Sequence, residues 1–265
     1  MNAYRGLFKM TFKSELQYRA QAFSGILTQI FWGIMYIFLY SAFMKDQTIS
    51  GFSTLQMTSY IWLGQAFFAL KYIALPKNCG KEITNGNVCY KFVKPVNLYD
   101  QWFFEYLGQK ISSTLLRCGP ILLLSLILGS NMGLMLPVSF EAFLLFLLGL
   151  CISCLMAVAI SMIAVYLTFV TLSEKGMISI VNVITGLLCG TFIPLPLMPT
   201  PVQNVLQYLP FRAIGDLPFR IYIGNIGIQQ ALLHLGIALA WLVGIILLGK
   251  ILISLASKKT TIQGG

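Results

Sequence analysis

Side chains able to do chemistry are few in this sequence, and most stand alone. His234 is the only histidine. It has no evident acid partner, so neither a Ser/His/Asp nor a Cys/His set can be assembled around it. Cys151 and Cys154 make a C-x-x-C, but inside a long apolar run with no cation to lower a thiol pKa they read as small packing residues. Cys79, Cys89, Cys118 and Cys189 show no ligand spacing, and no metal site is expected. The phosphate-cradling G-x-x-x-x-G-K-[ST] is absent. No apolar run carries the paired acids that proton-coupled carriers use. The sequence therefore predicts a protein that is not an enzyme, holds no cofactor and has no energy source of its own.

What remains is charge, and its placement is informative. The stretch Pro76 to Trp102 carries Lys77, Lys81, Lys91 and Lys94 against only Glu82 and Asp100. Long apolar runs flank it on both sides. Lysines and arginines beside spans resist translocation, so this loop is expected in the cytoplasm. Within it, Asn85-Gly86 is a turn signal and Lys94-Pro95 bars helix continuation. Val88 to Val93 between them can form one compact element. Arg117 is the one charge expected well inside a span, two to four turns up from its inner end. There it costs about 2.5–3.5 kcal/mol on the insertion scale. Two readings stay open: a snorkelling or inter-helix structural arginine, or a group facing the substrate path or a subunit interface.

The elements that position these residues follow from hydropathy. The chain is 57% hydrophobic and only 10% charged, too little charge to cover a soluble domain of this size. An all-α polytopic membrane protein is the fold class, a single transmembrane domain over 1–265. The net charge of +10 does not gather into an aromatic-interleaved face, so no nucleic-acid partner is expected. The bilayer itself is the first partner. Residues 1–22 place Arg5, Lys9 and Lys13 on one helical face and Tyr4, Leu7, Phe8 and Thr11 largely on another, as in an interfacial amphipathic helix. Six spans follow: Phe23 to Met44, Leu55 to Leu75, a third from after Trp102 to near Leu128, Phe143 to Thr171, Met177 to Ile193, and Gln229 to Ser254. The fifth should stop at Pro194 and Pro196, and Leu172 to Gly176 should be a tight inner turn. Residues 194–228 are too apolar for a solvated loop and too broken by proline for a span. They are read as short outer helices, partly re-entrant and buried against protein. Both termini fall inside, with Lys45, Arg212 and Arg220 outside.

Two motif runs on this frame resemble the membrane subunits of type-2 ATP-binding-cassette exporters, the ABC-2 permeases, in their small six-span branch. Ile83, Gly86, Tyr90, Lys94 and Pro95 stand in the order of the family's I-x-x-G-x-x-x-Y-x-x-x-K-P run, with Asn87 inside it. Gly190, Pro194, Leu195, Pro199, Leu209, Pro210, Phe211, Pro218 and Gly224 resemble its G-x-x-x-P-L…P…L-P-F…P…G run. The resemblance implies an exporter subunit in a bacterial plasma membrane. A second permease, identical or related, completes the pathway, and two separate ATPases hold ATP and Mg. It implies that the 76–102 loop seats a coupling helix on an ATPase and that Glu174 and Lys175 make a smaller second contact. It likens the N-terminal helix to a connecting helix and the outer prolines to re-entrant helices. The rivals are a stand-alone secondary transporter or channel, for which the spans lack a polar lining, and a non-transporting membrane assembly factor.

Overall fold

The computed structural model of the chain describes residues 2–44, 51–93 and 95–259. Among them every regular element is helical. α1 (Asn2–Glu15) turns into α2 (Arg19–Met44). α3 (Thr54–Ala66) and the single turn α4 (Phe68–Lys71) lead through an extended strap, residues 72–75, to two short helices, α5 (Cys79–Thr84) and α6 (Cys89–Phe92). α7 (Leu98–Ile127), the turn α8 (Gly129–Met132), α9 (Phe140–Thr171) and α10 (Glu174–Leu188) follow. A 3-10 turn (Leu195–Leu197), α11 (Thr200–Leu206), α12 (Arg212–Gly215) and α13 (Leu217–Tyr222) precede the last helix, α14 (Ile228–Lys259).

Local sequence sets the starts. Ser53 and Gln56 close a capping box at α3, each side chain bonding the other's backbone N–H at 3.2 and 3.0 Å. Asn97 and Ser139 cap α7 and α9, and Asp100 and Glu141 sit in the first turns, where the dipole favours a carboxylate. The Asn97 cap is why the third apolar helix begins at Leu98, ahead of Trp102.

Four of the helices, α2, α7, α9 and α14, are long and apolar enough to cross a membrane among the described residues. The second and fifth expected spans are shorter as helices. α3 has 13 residues and breaks at Phe67, whose φ of −100° and ψ of 19° leave the helical region. At 1.5 Å per residue it covers about 20 Å, short of a 30 Å hydrocarbon core. α10 has 15 residues and ends at Cys189, before the prolines expected to stop it. Gly190 follows at φ +79°, a left-handed residue that terminates the helix five positions after Thr185. The inner turn is also tighter than expected: Leu172 at φ +52° reverses the chain, and Glu174 already begins α10. Lys94, and Lys45 with the rest of its loop to residue 50, lie outside the described residues.

α9 is the hub. Against it pack α7, α10, α12, α13 and α14. In a bilayer, lipid tails are as apolar as leucine, so helices associate through close packing of small residues rather than through exclusion of water. The buried residues of α9 suit that, with Gly149, Ser153, Ala157, Ala159, Ser161 and Ala164 among them. At Gly149 an added Cβ would lie 3.1 Å from Pro218 Cβ. Ser153 donates to the Ile214 carbonyl at 2.6 Å. The broken backbone of the outer segment is thus buried against protein and satisfied by it.

Candidate functional site

The polar loop folds into a small platform at one end of the bundle. Cys79 and Ile83 of α5 and Val88 are buried in the same core as Trp102 and Tyr106 of α7 and Met162 and Val165 of α9. Burial pushes the Cys79 thiol well above its usual range, against the lowering pull of the Lys91 ammonium, so it is a packing group and not a nucleophile. Lys91 pins α6 down: its Nζ lies 2.8 Å from Glu82, 3.9 Å from Glu105 and 5.3 Å above the Trp102 ring. The α5–α6 turn then presents its other side outward. Gly86 takes φ +75°, and Asn85, Asn87 and Pro95 are exposed. Tyr90 is 76% and Val93 85% exposed, on the platform's outward side.

The inner turn belongs to the same platform. Glu174 lies so close to Gly80 of α5 that an added Cβ there would sit 2.1 Å from the Glu174 carboxyl carbon. Beside it Lys175 is exposed and Leu172 is 62% exposed. The two expected contacts, the loop and the turn, are therefore one continuous structure, joined through a glycine. Tyr90, Val93 and Leu172 are its exposed apolar groups.

The platform is tied to the long helices by the strap. Asn182 of α10 accepts from the Ile73 N–H at 2.8 Å and donates to the Ile73 carbonyl at 2.5 Å. Tyr106 of α7 accepts from the Ala74 N–H at 2.9 Å. Ser161 of α9 donates to the Ala74 carbonyl, and Lys110 of α7 donates to the Tyr72 carbonyl. Three helices thus supply the hydrogen bonds that a helical continuation of α4 would have made for itself. This is why the second apolar run stops being helical at Lys71. α1 is tied in as well. Gly108 of α7 meets it closely, an added Cβ lying 2.3 Å from Thr11 Oγ1. Lys77 donates to the Tyr18 hydroxyl at 3.0 Å.

The sequence pattern of one family, described as ABC-2 family transporter protein, matches residues 29–264. That span takes in the platform, the strap and every long helix, α2 from its eleventh residue onward. The chain belongs to the ABC-2 transporter family. A comparison with individually curated proteins returns no match. As an ABC-2 permease it is a multi-pass membrane protein of transport.

In this ABC-2 chain the outer motif residues shape the cap over α9. Gly190 (φ +79°) and Gly224 (φ +71°) make its two left-handed corners. At the first an added Cβ would lie 3.1 Å from the Leu195 side chain; at the second, 2.7 Å from Val138. Pro194, Pro210 and Pro218 are buried and Phe211 is partly so, while Pro199 is exposed and precedes α11. Pro218 opens α13, where its missing N–H is no loss. Arg117 sits about 28 Å from the start of α7 at 1.5 Å per residue, farther along than expected because the helix starts earlier. Its guanidinium lies against Gly25 in the second turn of α2, 3.1 Å from where a Cβ would be, and its Nε is buried without a hydrogen bond. The charge is thus aimed toward the platform end of α2. His234 lies beside Tyr208, ring centroids 6.4 Å apart, and no group of metal-ligating residues occurs among the described residues.

Two features escaped the sequence reading. Asn182 reads as one more polar residue in α10, and nothing local marks it as a clamp. Arg212, Asp216 and Arg220 repeat every four residues, a spacing that puts them on one helical face and was legible. Asp216 is fully buried. It accepts from Arg212 Nε at 2.9 Å, Arg220 Nε at 3.0 Å and the Tyr60 hydroxyl at 2.9 Å. This cluster fastens α12 and α13 to α3.

Proposed function

We propose that this chain is the transmembrane permease subunit of an ABC exporter. It forms the substrate pathway with a second permease, identical or related. Two separate ATPases hold ATP and Mg and act on it through the platform of residues 76–102, with Glu174 and Lys175 beside it. The observation that carries this reading is the strap. Residues 72–75 are bonded to α7, α9 and α10 and lead straight into a platform with Tyr90 and Val93 displayed outward. A push on the platform has a hydrogen-bonded route into α7, α9 and α10. Ile83 and the Gly86 turn give the platform its shape, with Asn87, Tyr90, Lys94 and Pro95 in its docking motif.

In this reading the chain crosses the plasma membrane of a bacterium six times, α3–α4 and α10 being short crossings, with both termini in the cytoplasm. α1 lies in the inner interface as the connecting helix, Arg5, Lys9 and Lys13 exposed and Tyr4, Leu7 and Phe8 turned toward the bundle. Residues 194–228 are the outer re-entrant cap. Arg117 is a structural arginine at the α2–α7 contact.

The test is co-purification with the ATPase partner from membranes, scored for wild type, Tyr90→Ala and Val93→Asp. Both side chains are exposed, so thermal stability should hold while recovery of the ATPase falls at least tenfold. Purified alone, the chain should hydrolyse no ATP. Full recovery of the ATPase by the Tyr90→Ala, Val93→Asp double variant would contradict docking at this platform.

A further inference from the structure

The buried charges of the outer cap do not balance. Arg212 is 6% exposed and Asp216 fully buried, and the Asp216 carboxylate is shared by two guanidinium groups and the Tyr60 hydroxyl. Two cations against one anion leave a positive charge with no counter-charge in the cluster, and an uncompensated charge out of water is costly. Arg220 spends one Nη on Asn225 Oδ1 at 3.4 Å. Arg212 spends only its Nε; its Nη1 is buried and has no acceptor.

Both arginines line a cavity of about 80 Å³ with Asp216, Gln203, Asn204 and Gln207. A single water needs roughly 10–15 Å³ on this measure, so the space holds a larger group. Gln203 cannot supply the missing charge, and its amide N–H groups are committed to the carbonyls of Pro196 and Met198 at 3.1 and 2.7 Å. A tetrahedral oxyanion fits the space and the charge: both arginines line the cavity, and guanidinium binds phosphate with directed, charge-assisted bonds. Beside the mouth α11 displays Val202 at 42% and Val205 at 63% exposure, and Tyr208 follows at 54%, apolar groups suited to a headgroup boundary.

We infer that the cavity between α11, α12 and α13 binds a phosphate group, free or carried on a lipid headgroup, through Arg212 and Arg220. The site is at the end of the bundle away from the platform and does not depend on ATPase docking.

The full chain, purified in a maltoside detergent, is titrated with inorganic phosphate against chloride at equal ionic strength while thermal unfolding is followed. In parallel it is placed in nanodiscs of phosphatidylglycerol or of an uncharged glucosyl diacylglycerol. The expected result is saturable stabilisation in at least one arm. Stabilisation by inorganic phosphate marks a free-anion site; stabilisation by phosphatidylglycerol alone marks a headgroup site. Asn204→Asp and Gln207→Glu add a carboxylate at the mouth without touching the buried cluster. Each supplies part of the missing counter-charge, so they should raise the unliganded midpoint and weaken the phosphate response at least tenfold, and Arg212→Gln should abolish it. No stabilisation in either arm, or an undiminished response in the Asn204→Asp, Gln207→Glu double variant, overturns the assignment.

Discussion

Asn182 holds both backbone polar groups of Ile73, accepting from its N–H at 2.8 Å and donating to its carbonyl at 2.5 Å. One amide side chain thereby replaces the partners a strand or a helix would have provided, and it does so from a helix 109 positions away in the chain. The strap cannot shift relative to α10 without leaving two buried groups unpaired. Asn182→Leu does just that, and each orphaned group costs about 1–3 kcal/mol. The variant should reach the membrane, unfold at lower temperature, and uncouple ATP hydrolysis from transport. Wild-type transport at an unchanged melting temperature would show that the strap carries nothing.

The two glycines of the platform should fail for different reasons. Gly86 has open space around it but φ +75°, so Gly86→Val costs about 1–2 kcal/mol of left-handed strain in the turn itself. Gly80 lacks room: its added Cβ would meet the Glu174 carboxyl carbon at 2.1 Å, so Gly80→Ala must swing the Glu174 side chain out of its contact with α5. Glu174→Ala clears that contact, so in a Glu174→Ala background Gly80→Ala should cost no further ATPase recovery, whereas Gly86→Val should cost as much as in wild type. Co-purification of the ATPase with the three single and two double variants checks this.

Much of this was legible in the sequence, and the limits are physical. α9 announces itself as an uninterrupted apolar run, the platform by its lysines, and the Gly86 turn by Asn85-Gly86. The strap was not legible, because Tyr72 to Leu75 is apolar and continues the α3 run in composition. What unwinds it lies 32, 87 and 109 positions away, in Tyr106, Ser161 and Asn182. Hydropathy sees such residues as lone polar points in spans; only their convergence on one backbone stretch gives them a role. The outer cap was readable as broken helices from its prolines. Its anchor at Asp216 was legible only in part: the spacing of Arg212, Asp216 and Arg220 marks one face, but the third partner, Tyr60, comes from α3.

Asp216 should also give the cap a pH dependence. Burial alone would raise its pKa, but Arg220 and Arg212 outweigh that and hold the carboxyl below its usual value. A depressed folded-state pKa contributes stability that is present above the unfolded value, about 3.9, and is lost as pH falls through the folded value. Thermal unfolding of wild type should therefore weaken progressively below about pH 4. Asp216→Asn should be destabilised by about 3–5 kcal/mol at neutral pH, leaving two buried guanidinium groups without their anion, and should lose part of the acid-dependent drop. An Asp216→Asn variant as stable as wild type at pH 7 would remove the cluster's structural role.

Topology has a direct check. Single cysteines in a cysteine-free background should react with a membrane-impermeant maleimide at Val138→Cys and Asn204→Cys in intact cells. At Tyr90→Cys and Lys175→Cys they should react only after the membrane is opened. Labelling of Tyr90→Cys from outside would invert the arrangement.

An ATPase seated on the platform would lie within reach of a photo-cross-linker at Tyr90. Tyr90 is replaced by p-benzoylphenylalanine, with Val138, 58% exposed at the far end of the bundle, replaced in the same way as a control. Membranes containing the permease and its ATPase partner are irradiated, and the adduct is identified by mass spectrometry. The predicted result is a covalent adduct of the ATPase with the probe at position 90 and none with the probe at 138. An intact complex that yields no ATPase adduct from position 90, or yields one from 138, would contradict it.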